Sequence, residues 1–160
     1  MIRRIYRILL RINTSQLFVL FFVLTLLIST LINLLFYIFL NHSSPNLQDV
    51  KLINNTSLSF FFEALILAPI LETALFQVAV ITFCRVYIKN NLFCIIFPAI
   101  VFGVVHLDGS RKVISMIFFG LLLGFFYTIS KKKKLNAFWV TALLHATWNL
   151  FVLIVKYIDN

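Results

Sequence analysis

Five runs of apolar residues, at about 17–40, 59–88, 91–107, 113–130 and 137–157, fill most of this 160-residue chain. Each is close to or above the ~17–25 residues that a helix needs to cross a hydrocarbon core about 30 Å thick. That layer holds no water for backbone N–H and C=O groups, so each run must satisfy its own hydrogen bonds, which a helix does. With 62% of residues apolar and only 12% charged, no soluble core absorbs this much hydrocarbon. The expected fold is all-α, a polytopic membrane bundle with about five transmembrane helices. It forms a single integral membrane domain over 1–160, with a basic segment and anchor helix at 1–40 and a core at about 58–157. The first run is too long for a secretory signal, whose apolar region is ~7–15 residues, and is read as a retained helix.

The net charge of +9 would point to nucleic acid in a soluble protein, but the basic residues here sit in short clusters between the apolar runs. With a cytoplasmic N-terminus and five crossings, ten lie inside: Arg3, Arg4, Arg7, Arg11, Arg85, Lys89 and Lys131 to Lys134. Four lie outside: Lys51, Arg111, Lys112 and Lys156. That asymmetry fits a multi-pass cell-membrane protein with its N-terminus in and its C-terminus out. The tetralysine is read as a topology anchor, the lipid bilayer is the partner expected, and nucleic acid is not. High Phe, Ile, Asn and Lys usage is compatible with an AT-rich bacterial genome. Asn41 to Ser57, with Pro45 and Asp49, is the one long polar connection and is read as a loop or interfacial turn. Cys84 and Cys94 form no disulfide framework or metal-finger spacing and are read as small hydrophobes. Gly120 and Gly124 offer a small-residue face for close helix packing, within or between chains.

An ionisable group inside a spanning helix costs about 2.5–3.5 kcal/mol on insertion scales, so each one calls for a partner or a purpose. These residues are few: Glu63 and Glu72 in the second run, His106 at the end of the third, and His145 with the polar Asn149 in the fifth. His145 and Asn149 are four apart and share a helix face, as do Phe102 and His106. Pro69, three residues before Glu72, is expected to kink or open its helix and admit water. Glu63 falls on the face opposite Glu72 in a straight helix, and snorkelling or pairing with Lys51 is its bland reading.

A carboxylate, two imidazoles and a carboxamide in a low-dielectric cavity suffice to hydrolyse an amide bond. Glu72 can take a proton from water that an imidazole orients, and the other imidazole and Asn149 can donate to the oxyanion that develops on the scissile carbonyl. A second option is catalytic zinc held by Glu72, His106 and His145, one carboxylate and two imidazoles with an open position. No HExxH forces that choice, and the glutamate route requires no cofactor. The competing structural reading is that these groups merely hydrogen-bond between helices.

Three blocks resemble the CAAX protease and bacteriocin-processing (CPBP, or Abi) membrane proteins, which include the type II CAAX prenyl endopeptidases. Ala68 to Gln77 looks like that family's EExxxR block, Phe102-Gly103-Val104-Val105-His106 like its FxxxH block, and His145-Ala146-Thr147-Trp148-Asn149 like its HxxxN block. The resemblance covers about 60–155. It implies an intramembrane endopeptidase in which Glu72 and His106 activate water and His145 with Asn149 form the oxyanion hole. Family members are often labelled metalloproteases, so zinc stays open. The implied substrate is a membrane-associated peptide or protein, of identity that the sequence does not give; the charges Asp108, Arg111 and Lys112 near the outer mouth are read as solvated.

Two departures stand out: Thr73 replaces the second Glu and Gln77 replaces the Arg. At a spacing of four the family pair can form an intrahelical ion pair. Its loss as a pair is expected to leave a Thr73–Gln77 hydrogen bond and weaker electrostatic tuning of Glu72. These departures keep alive a reading from another class, a non-catalytic CPBP-like module binding a partner protein in bacteriocin immunity or signalling. A transporter is disfavoured, because only one broken helix carries a charge and no repeat accompanies it.

Overall fold

The computed structural model describes residues 2–39, 58–88, 90–107 and 109–158, and these are helical apart from short links. The long connection Asn41 to Ser57, Lys89, Asp108, the Lys51 expected to pair with Glu63, and the side chains of Arg3 and Arg4 lie outside the described residues. Six helices follow in order: α1 (Ile2–Arg11), α2 (Thr14–Phe39), α3 (Leu58–Tyr87), α4 (Phe93–Val104), α5 (Ser110–Lys132) and α6 (Ala137–Ile158). No strand occurs among the described residues. α2, α3, α5 and α6 are long and apolar enough to cross a membrane. α4 has 12 residues and rises about 18 Å, less than the hydrocarbon core, so the third of the expected crossings is a short apolar helix.

The basic N-terminus forms a helix of its own. Asn13 starts α2 with a reciprocal cap: its Oδ1 accepts from the Gln16 N–H at 2.7 Å, and its own N–H donates to Gln16 Oε1 at 3.1 Å. Two helix-terminal donors are thereby satisfied. The carbonyls of Leu10 and Ile12, at the end of α1, receive the Lys133 ammonium at 2.9 and 2.8 Å. Lys132 lies over the Tyr6 ring and Lys131 over Tyr127, 5.0 and 5.8 Å from their centroids. Lys132 and Lys133 therefore clamp the N-terminal helix to the end of α5.

α5 is the hub and touches every other helix. Its partner in the closest packing is α4, which runs antiparallel to it. A Cβ on Gly103 would sit 2.8 Å from both the Ile117 nitrogen and the Val113 oxygen, so only glycine fits that crossing. Gly120 faces Ala99 and Phe102, and Gly124 faces Ile95. The small-residue face of α5 is thus used within the chain. Around it Leu17, Phe21, Phe76, Phe102, Phe119, Leu123, Phe126 and Trp148 form the core. Both cysteines are buried and unpaired.

α3 is not a uniform α-helix. Glu63–Leu67 and Thr73–Val80 are wound as π-helix, on either side of an α turn, Ala68–Glu72, that carries Pro69. The expected break is present as two widenings of the spiral, the form in which π turns commonly occur near functional sites.

Candidate active site

Pro69 sets the local geometry of α3. The Ala68 N–H reaches back five residues to Glu63 O. The next donor in that pattern would bond Ala64 O, but Pro69 has no N–H to give. The Asn149 amide supplies the bond instead, donating from Nδ2 to Ala64 O at 2.9 Å. An unpaired carbonyl in this environment is costly, so the proline that opens α3 also creates the acceptor that ties α6 to it. Asn149 keeps one further N–H hydrogen for another acceptor.

One turn before Asn149 on α6, His145 faces Glu72. Its Nε2 lies 3.7 Å from Glu72 Oε2, beyond direct hydrogen-bond range and suited to a bridging group. His145 is 3% exposed. Phe119 and Phe102 box its ring at 5.1 and 6.1 Å, both edge-on. Glu72 is only partly buried, so the pair sits at the rim of the core and not sealed in it.

His106 lies just past α4, which ends at Val104, so it is not on the helix as expected. The ring folds back over Phe102, centroids 4.8 Å apart, and Nδ1 lies 2.7 Å from the Phe102 carbonyl. A carbonyl can only accept, so Nδ1 carries the hydrogen and Nε2 keeps a free lone pair. Phe102, fully buried, is the common wall between the two imidazoles.

The four residues expected to carry chemistry therefore come from three separate segments to the middle of the α3/α6 contact. Among the described residues no three His, Cys, Asp or Glu side chains stand grouped closely enough, as placed, to hold a metal ion. Glu63 is exposed and apart from the pair, although the neighbouring Ala64 carbonyl belongs to the site.

Thr73 and Gln77 depart from expectation. Both are essentially fully buried, yet Thr73 Oγ1 and Gln77 Oε1 have no hydrogen-bond partner, so they do not bond to each other. They lie in the π-wound stretch. Sequence reasoning also passed over Thr141. It sits four residues before His145, the same spacing that linked His145 to Asn149, and that periodicity was available to find it.

These features place the chain among multi-pass helical membrane proteins with a polar centre built into the bundle. More narrowly, it belongs to the Type II CAAX prenyl endopeptidase Rce1-like family of membrane proteases, whose family model matches residues 54–151, more than half of the chain. The matched region holds Glu72, His106, His145 and Asn149. No curated protein and no solved structure matches the chain.

Proposed function

We propose that this protein is an intramembrane endopeptidase that hydrolyses a peptide bond in a membrane-associated peptide or protein with water activated by Glu72 and His106. The observation that carries this reading is the meeting of Glu72 and His145 at 3.7 Å across α3 and α6. It is supported by a His106 tautomer whose Nε2 is free to accept. Water held by the Glu72 carboxylate and His106 Nε2 loses a proton to Glu72 as its oxygen attacks the scissile carbonyl. His145 Nε2–H and the second Asn149 N–H donate to the oxyanion that forms. As the C–N bond breaks, Glu72 returns the proton to the leaving amine, giving a free carboxylate and a free amine. Thr73 and Gln77 carry no charge, so Glu72 works without the ion pair of the family pattern.

The orientation that fits this chemistry to the charge pattern is N-terminus inside and C-terminus outside, in a bacterial cell membrane. The α4/α5 hairpin is compatible with the fifth crossing that this orientation needs. The register of Gly103, Gly120 and Gly124 carries α4 along α5 as a crossing would, short as it is.

The test is proteolysis of a membrane-extract or peptide library by detergent-purified protein, comparing wild type with Glu72→Ala and His145→Ala. Loss of cleavage in both variants, with a rate unchanged by chelator, is the expected result. A chelator-sensitive rate would overturn the metal-free route. No cleavage by folded wild type would overturn the protease reading in favour of a non-catalytic module that binds a partner protein.

A further inference from the structure

On the side of His145 away from Glu72, the interior is polar in a way that the hydrolytic steps do not use. His145 Nδ1, Thr141 Oγ1, Gln77 Oε1 and Thr73 Oγ1 are all buried with no hydrogen-bond partner, their residues being 3%, 0%, 1% and 0% exposed. The stretch Thr73–Val80 packs directly against α6. The register of that contact is set by Glu72 opposite His145 and by Asn149 on the Ala64 carbonyl. Continuing it one turn brings Gln77 and Thr73 to the level of Thr141. By that register two hydroxyls, an amide oxygen and an imidazole nitrogen lie at neighbouring levels of the α3/α6 contact, each without a partner from the protein. Orphaned polar atoms are rare in folded interiors and rarer still where lipid surrounds the bundle.

We infer that this seam between α3 and α6 is a binding site for ordered internal water, held by Thr73, Gln77 and Thr141, that donates a hydrogen bond to His145 Nδ1. Water fits the donor and acceptor inventory: it can accept from the threonine hydroxyls and donate to Gln77 Oε1 and to Nδ1. The consequence for His145 is a fixed tautomer. With Nδ1 accepting, Nε2 carries the hydrogen and points it at the space between His145 and Glu72, where a donor is needed. Thr141 and Gln77 are thus positioning residues that act through His145. This role rests on the protease reading, whereas the water site itself does not.

Two measurements separate the two. The first is X-ray hydroxyl-radical footprinting of the full-length protein in detergent, which reports water beside a side chain whatever the activity. Phe76 and Leu144, buried next to Gln77 and His145 and 6% and 1% exposed, are expected to oxidise several-fold faster than Phe126, which is 0% exposed. Thr141→Val and Gln77→Leu are each expected to remove that excess. Oxidation of Phe76 and Leu144 no faster than Phe126, or an excess that both variants leave intact, would overturn the site. The second is kinetic. Thr141→Val should lower kcat about tenfold, as loss of a partner behind a functional histidine does, with KM within about twofold. Thr141→Ser, which keeps the hydroxyl, should restore most of the rate. Equal rates for the Val and Ser variants would overturn the positioning role. If wild type cleaves nothing, the protease reading falls and footprinting alone decides the site.

Discussion

The α4/α5 hairpin and the α3/α6 pair are both antiparallel contacts in one small bundle, and they are held in opposite ways. α4 and α5 meet on Gly103, Gly120 and Gly124 with almost nothing polar between them, close enough that one added methyl meets backbone. α3 and α6 meet through Glu72, His145, Asn149 and the Ala64 carbonyl, over a helix wound wide on both sides of Pro69. Tight apolar packing fixes a scaffold but leaves no room for a reacting group. A wide, polar seam does the reverse, and it can be afforded because the neighbouring contact is so close.

If chemistry resides in the polar seam, the largest effect of any substitution falls there and leaves the fold intact. Glu72→Gln keeps the shape and removes the base, so kcat for peptide cleavage should fall about 10²–10⁴-fold while thermal unfolding in detergent barely moves. A variant that cleaves at the wild-type rate would strip Glu72 of its role and the comparison of its point. In the hairpin the order reverses. Gly103→Ala places a methyl against the Ile117 and Val113 backbone and should cost about 1–3 kcal/mol of stability. Gly124→Ala meets side chains and no backbone, Ile95 Cγ2 at 2.9 Å and Ile81 Cδ1 at 3.7 Å, and should cost less. Equal melting points for the two variants would show that the α4/α5 contact is looser than the glycine geometry requires.

The two regions were unequally legible in the sequence. Apolar runs of spanning length gave the helices, because lipid leaves a chain so few alternatives. Gly120 and Gly124 showed themselves by spacing, but Gly103 did not: it is a lone glycine inside the Phe102–His106 block, and its need arises from a helix distant in sequence. Glu72, His106, His145 and Asn149 were visible as polar residues in apolar runs. What the runs could not show is that His106 leaves its helix and folds back on the Phe102 carbonyl. Nor could they show that α3 changes its winding, since residues 73–80 have no composition that distinguishes π from α. The Thr73–Gln77 hydrogen bond that a spacing of four suggested is not formed, although both residues are buried.

The link between Pro69 and Asn149 sharpens the comparison further, because it asserts that a break in one helix is repaired by the other. Asn149→Ala leaves Ala64 O unpaired and should cost about 1–3 kcal/mol. Pro69→Ala restores an N–H that can reach the same oxygen, so in that background Asn149→Ala should cost about 1 kcal/mol less. The double-mutant cycle is read from unfolding in detergent. Strictly additive effects would mean that Asn149 and Pro69 do not share the Ala64 carbonyl.

The smallest effect is expected where the basic N-terminus meets α5, outside both contacts. Lys133 donates to Leu10 O and Ile12 O and so closes the end of α1, a favourable place for a cation because the helix dipole is negative there. It is half-buried, and water shares the ammonium, so Lys133→Gln should cost only about 1 kcal/mol. The loss should be local: amide exchange should speed up over residues 6–12 and leave α4 and α5 protected. Proteolytic activity should not change, since no group of the Glu72–His145 pair touches α1. Faster exchange spreading into α5 would show that α1 is part of what holds the hub, and the scaffold would then extend to the chain's first helix.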